Sequence, residues 1–182
     1  MKVDIYTTDK KYNVIYADPP WHYNTWRDGE GTAEKHYKTM KIDEIIAMKD
    51  TIQKISEKDC VLFLWVTFPC LLEAIRTIKE WGFKYKTCAF TWVKRNRKSD
   101  TWFFGLGHWT RANAEICLIA GKGQIKRVSK KVAQIIDTHI EEHSKKPAIV
   151  RNRIVELVGD LPRIELFARQ TAEGWDCWGN EV

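Results

Sequence analysis

The stretch Tyr12-Asn13-Val14-Ile15-Tyr16-Ala17-Asp18-Pro19-Pro20-Trp21 decides the fold. Its first six residues read as a buried strand, rich in β-branched and aromatic side chains. The strand is followed at once by an acid, two prolines and an aromatic. Two prolines fix φ and stiffen the chain as it leaves the strand, so this tetrapeptide forms a small rigid pocket at a strand's end. Such a pocket suits an exocyclic amine on a flat ring. A plain turn, with the acid as a cap, is the competing local reading.

Working outward, strand-like and helix-like segments alternate. Lys41–Met48 carries apolar residues at near-helical spacing. Cys60–Val66 is too apolar to be half exposed and reads as a second buried strand. Leu71, Leu72, Ile75 and Ile78 mark one helix face that ends near Trp81-Gly82. Strands are predicted over 86–94, 115–120 and 163–167, and the segment 125–136 is ambiguous. Pro147 opens a helix whose apolar face is Val150, Ile154, Leu157 and Val158, with Gly159 as its stop. Two long polar loops are expected, Trp21–Tyr37 and Lys94–Thr110. This alternation predicts an α/β fold, a mainly parallel sheet with helices on both faces. Ligands of such sheets sit beyond the carboxyl ends of strands, where both Asp18 and Arg169 fall.

Composition narrows the class. The chain has 182 residues, 44% hydrophobic and 30% charged, which predicts a single globular domain over 1–182. The longest apolar run, Cys60 to Val66, is too short for a membrane span. The charged N-terminus lacks a signal-peptide core, and the expected location is cytoplasmic. Five cysteines are widely spaced without a Cys-x-x-Cys pair, so no zinc site or disulfide framework is signalled and no metal is expected. The net charge of +6 is compatible with nucleic acid without establishing it. The basic residues cluster at Lys94–Lys98 and Lys122–Lys131. Nine tryptophans are many for this length; most are expected in the core, while Trp26, Trp102 and Trp109 fall in loops beside basic residues, where aromatics can stack bases.

These blocks occur in a telling order: Asp18-Pro19-Pro20-Trp21, Leu62-Phe63-Leu64-Trp65-Val66, Phe90-Thr91-Trp92-Val93-Lys94, Gly107-His108-Trp109, Glu115-Ile116-Cys117-Leu118, Ser144-Lys145-Lys146-Pro147, Ile164-Glu165-Leu166-Phe167-Ala168-Arg169, and Gly174-Trp175-Asp176-Cys177-Trp178-Gly179-Asn180-Glu181. Together they resemble the adenine-N6 methyltransferases of the family that includes the catalytic subunit of the messenger-RNA adenine methyltransferase, with many bacterial and phage members. The resemblance covers nearly the whole chain. It implies a Rossmann-like class I methyltransferase fold with permuted motif order, the catalytic strand coming first. It also implies S-adenosyl-L-methionine as cofactor, which no glycine-rich fingerprint here signals independently.

The resemblance also implies roles for individual residues. The adenine amine is a poor nucleophile because its lone pair is delocalised into the ring. Asp18 would accept one amine hydrogen and a carbonyl of Pro19-Pro20 the other, opposing the positive charge that develops on nitrogen. Trp21 would stack on the base. Asp4-Ile5 is the candidate for the cofactor's adenine, with core packing of Ile5 as the alternative. Lys146 would reach the cofactor's carboxylate, unless Lys145-Lys146 is only a solvated run. Asp18, Phe167 and Arg169 fall in the cofactor site, Arg169 near the ribose, and Asn180 with Glu181 match the terminal pair that contacts ribose and adenine. Gln170-Thr171 stands where the eukaryotic enzyme has His and Asn nearby, a departure from the pattern. Tyr37, Trp65, Trp92, His108 and Glu115 match positions around the acceptor pocket, and each also reads as core or loop anchor.

The expected reaction is therefore methyl transfer to N6 of adenine in nucleic acid, DNA favoured over RNA. A catalytically silent nucleic-acid-binding subunit is the alternative of another class, disfavoured because the tetrapeptide is complete. Cytosine amino-methylation ranks below, since related enzymes more often carry Ser in place of Asp18. With only its loops to read a target, the chain is expected to have modest sequence specificity or to share its recognition surface in a homodimer.

Overall fold

The strand expected at residues 12–17 takes the middle of the molecule. In the computed structural model, which describes residues 1–22, 39–107, 109–141 and 145–182, β1 (Tyr12–Ala17) lies between β2 (Ser56–Val66) and β6 (Arg163–Leu166) and runs parallel to both. Ile15 sits opposite Leu62 on one side and Ile164 on the other. With β3 (Lys84–Arg95), β4 (Glu115–Lys122), β5 (Ile135–His139) and β7 (Asp176–Trp178), the sheet order is β5-β3-β4-β2-β1-β6-β7. β4 is antiparallel to both its neighbours and every other pairing is parallel. The first strand in sequence thus lies beside the strands that come last, as the permuted order requires.

Alternation within the apolar runs explains the two layers, because successive side chains point to opposite faces. Ile15, Ala17, Leu62, Leu64, Leu118 and Ile164 pack with Ile45, Ile52, Ile55 and Ile78 from α1 (Ile42–Ala47), α2 (Lys49–Ile55) and α3 (Leu71–Glu80). On the other face Val14, Tyr16, Phe63, Trp65, Phe90 and Trp92 pack with Val150, Ile154 and Val158 of α4 (Ile149–Val158). Fully burying each such large side chain contributes about 1.5–3 kcal/mol. Among the described residues, no helix is long and apolar enough to cross a membrane.

The structure extends several of the expected elements. The strand expected from Cys60 begins at Ser56, and the ambiguous segment yields β5 only from Ile135. Pro147 stands just ahead of α4, its carbonyl accepting from Val150 N. Three elements were not signalled by pattern: α2 has seven residues, about two turns, β5 is a short edge strand, and β7 has three residues. Pattern needs length, and these lack it. The loop expected from Trp21 to Tyr37 lies outside the described residues beyond His22.

One consequence positions the site. Because β4 is reversed, its first residue, Glu115, shares an edge of the sheet with the carboxyl ends of β1, β2, β3 and β6.

Candidate active site

Asp18 leaves β1 at that edge, its amide donating to Leu166 O of β6. The two prolines cannot donate, and the chain beyond them is stitched by other means. Trp21 N donates to Pro19 O, Met40 N donates to Pro20 O, and His22 N donates to Met40 O. Among the described residues each proline carbonyl accepts one backbone bond, and a carbonyl oxygen has two lone pairs. Pro-Pro and the strap to Met40 together hold Asp18 in a narrow range of positions.

A chain of alternating charges runs across the sheet edge from there. Lys146 Nζ donates to Asp18 Oδ2 at 2.8 Å and lies 3.1 Å from Glu115 Oε2. Glu115 Oε1 in turn accepts from Lys94 Nζ at 2.5 Å. Four side chains from β1, β4, β3 and the segment before α4 thereby form a neutral set of two carboxylates and two ammonium groups. Lys146, Glu115 and Lys94 are nearly buried, whereas a quarter of the Asp18 side chain is exposed. Asp18 is the most exposed member of the set.

The electrostatics follow from burial and partners. Burial pushes the Asp18 carboxyl above its ordinary value, opposed by Lys146 and, more weakly, Arg169. Burial would raise Glu115 too, yet Lys146 and Lys94 together bring it down to about 2. Burial works against the Lys146 ammonium, but Asp18 and Glu115 outweigh it and raise its pKa.

The tryptophans expected around the acceptor are buried beneath this charged set. Trp65 is wholly buried and Trp92 is 3% exposed, which leaves neither ring a face for a ligand. Trp65 Nε1 donates to Tyr16 Oη at 2.7 Å, and its ring lies 5.5 Å from Lys146 Nζ. Trp92 Nε1 donates to Thr138 Oγ1, and its ring meets Trp65 edge-on. Trp21, expected to stack on the base, is 7% exposed and donates from Nε1 to Trp65 O. Its visible work is to anchor the turn, because the apolar ring gains more from the core than from solvent. Tyr37 and His108 lie outside the described residues.

The cofactor-side residues gather at the ends of β6 and β7. Phe167 turns the chain with φ 60° and packs edge-on against Trp178, which also meets Tyr6. Ala168 N donates to Trp178 O, and Gly179 permits this approach, since a Cβ there would meet Ala168 O at 2.2 Å. That approach sets Asn180 and Glu181 beside Arg169, whose Nε lies 3.6 Å from Glu181 Oε1. The N-terminal segment pairs with β7 through Val3 N and Cys177 O, which carries Asp4 and Ile5 to the same end. Asp4 caps its own turn by accepting from Tyr6 N and Thr7 Oγ1. Ile5 is wholly buried in the core, so its side chain offers a ligand nothing. The cation at Arg169 and the acceptors at Asp4, Asn180 and Glu181 fit a cofactor that carries a carboxylate, ribose hydroxyls and an adenine, whereas Lys146, expected at the cofactor's carboxylate, is engaged by Asp18 and Glu115.

Three residues at the site had no assigned role in the sequence. Lys94 is the outer cation, Tyr16 carries the hydroxyl beneath Trp65, and Arg151 pairs bidentately with buried Glu165 at 2.6 and 2.9 Å. Lys94 was within reach, as a lysine directly after Trp92-Val93 at a strand's carboxyl end. Nothing local marks the other two.

The family model described as MT-A70 matches residues 12–181. The Type II methyltransferase M.MunI of Mycoplasma is 35% identical over 95% of this chain and 78% of its own length. A putative N(6)-adenosine-methyltransferase MT-A70-like protein of Medicago truncatula is 30% identical over 94% of this chain. The human N(6)-adenine-specific methyltransferase METTL4 is 27% identical over 95%. The chain spans about a quarter of the plant protein and 38% of the human one.

Proposed function

The chain belongs to the MT-A70 family, and on that premise we propose that it transfers a methyl group from S-adenosyl-L-methionine to N6 of adenine in nucleic acid. Bound at the ends of β6 and β7, the cofactor would supply an electrophilic methyl group. The observation that carries the proposal is the exposed part of the Asp18 carboxylate, fixed at the end of β1 beside two proline carbonyls.

Asp18 accepts one hydrogen of the adenine amine, and a lone pair of Pro19 O or Pro20 O accepts the other. The nitrogen lone pair is thereby aimed away from both acceptors. As positive charge builds on nitrogen it meets a carboxylate and a dipole already in place, which costs no reorganisation. Lys146 opposes the effect of burial on Asp18 and orients it through one oxygen. No strong base is needed, because the proton leaves a nitrogen that is already cationic. Orientation of two bound partners supplies much of the remaining rate.

DNA is favoured over RNA as the substrate. Its support is the likeness to the Type II methyltransferase M.MunI, of which this chain covers 78%. The approach to the site suits a polyanion: the loop between β3 and β4 carries Arg97, Lys98 and Arg111, with Trp109 93% and Leu106 97% exposed. A homodimer sharing that loop surface is part of the proposal, as is a cytoplasmic location.

The test uses labelled S-adenosyl-L-methionine with matched single-stranded and duplex DNA and RNA, for the wild type and Asp18→Ala. Methyladenine formed by the wild type alone is the expected result. Equal product from both proteins, or none on any substrate, would refute the assignment, and methylcytosine would select the cytosine alternative. Gel filtration with and without an oligonucleotide checks the dimer; a monomer in both removes it.

A further inference from the structure

Among the described contacts, Lys94 joins the charge chain through Glu115 and not through Asp18. Its surroundings are nevertheless closely built. Its backbone N donates to Asn113 Oδ1 and its carbonyl accepts from Asn113 Nδ2, both at 2.9 Å. Phe103 N donates to the same carbonyl. Asn113 thus acts as a short strand partner where β3 gives way to the loop. The ammonium sits 5.0 Å from the Trp92 ring centre and 6.0 Å from that of Phe103. An ammonium 15% exposed and held over aromatic faces keeps its charge close to one partner, Glu115.

We propose that Lys94 is a positioning residue for methyl transfer: by neutralising the outer oxygen of Glu115, it leaves Lys146 shared with Asp18 and keeps the Asp18 carboxylate charged and aimed at the amine. The inference rests on the methyltransferase reading of Asp18. Lys146 has two carboxylates to serve and one positive charge. With Lys94 in place the set is neutral. Without it Glu115 carries an unbalanced negative charge at 3.1 Å from Lys146. Lys146 is then drawn towards Glu115, and Asp18 loses its counter-ion to a like-charged neighbour. The groups that act on Asp18 are Lys146, Glu115, Arg169, Tyr16, Cys117 and Glu165. Of these, the first two are the ones Lys94 reaches.

The experiment is the pH dependence of kcat for methyl transfer to a saturating adenine oligonucleotide by wild type, Lys94→Gln, Lys94→Arg and the double variant Lys94→Gln/Glu115→Gln. Gln keeps a donor for Glu115 and removes only the charge. Expected for Lys94→Gln is an acid limb moved up by about one pH unit, hence a kcat about tenfold lower on that limb, with the oligonucleotide KM within about twofold. Lys94→Arg restores the wild-type limb. The double variant, which removes one charge of each sign, brings the limb back to the wild-type position or below it, whatever its absolute rate. A Lys94→Gln limb that stays in place, or a double variant no better placed than the single, overturns the proposal. So does a Lys94→Gln protein that fails to fold while Lys94→Arg folds, for then Lys94 serves stability alone. A wild type with no activity on any nucleic acid refutes instead the reading on which the proposal rests.

Discussion

Replacing Asp18 with asparagine tests the central argument, because it keeps shape and one acceptor oxygen while it removes the charge and turns the oxygen that meets Lys146 into a donor. The amide oxygen of the Asp18→Asn side chain can still accept from the adenine amine, but it no longer opposes a full positive charge. A preorganised partner of that kind is worth about 2.7–4 kcal/mol to a transition state. At 1.36 kcal/mol per factor of ten, kcat should fall about a hundred- to a thousandfold. The variant should fold normally. Lys146 keeps Glu115 at 3.1 Å, so no ammonium is stranded, and burial already disfavours the Asp18 charge. The expected stability change is within about 1 kcal/mol. The oligonucleotide KM should change little, since phosphate contacts dominate affinity for nucleic acid. Single-turnover transfer of labelled methyl to an adenine oligonucleotide, beside urea unfolding, measures all three. A folded Asp18→Asn protein with more than about a tenth of wild-type kcat would refute the electrostatic role, leaving Asp18 a hydrogen-bond acceptor only.

Other expectations follow from the same geometry. Glu115, held at about 2 in the fold against an ordinary value of 4.5, has a depressed pKa. It therefore stabilises the fold above pH 4.5 and loses that contribution as pH falls towards 2. The full amount is about 3 kcal/mol, read as a drop in urea midpoint across that window that Glu115→Gln lacks. Arg151→Met strands the Glu165 carboxylate beneath Tyr16 and should cost about 3–5 kcal/mol at pH 7. Glu165 is already raised by burial, so the loss should shrink towards pH 4 as it protonates; a loss independent of pH would disprove the stranded charge. Gly179→Ala drives a methyl into Ala168 O and should destabilise by about 1–3 kcal/mol. It should also raise the KM for S-adenosyl-L-methionine, because Asn180 and Glu181 move away from Arg169; an unchanged KM would remove that pair from the cofactor site.

Much of the molecule was legible from local chemistry. Tyr12–Ala17 and Cys60–Val66 read as strands buried on both faces, because they are short, mostly apolar and rich in β-branched and aromatic residues. Gly159 and the apolar face from Val150 to Val158 marked α4, and the ordered blocks pointed to the family. Where local reading met tertiary demand it was less complete. Trp21, Trp65 and Trp92 look alike as aromatics near a pocket, yet the structure buries all three and ties them to carbonyl or hydroxyl partners. Ile5 read equally as a ligand contact or as core, and packing made it core.

The sequence by itself determined the tetrapeptide's chemistry, because an acid followed by two prolines is rigid wherever it stands. It also determined the alternation of strands and helices, because periodicity is a property of neighbours along the chain. Only the tertiary structure decided who would stand beside Asp18. Its ion-pair partner is 128 residues away, and the relay from Lys94 through Glu115 to Lys146 exists because β4 alone is reversed in the sheet. Strand direction is set by the packing of whole layers and by the connections between them, so no stretch of residues short enough to read carries it.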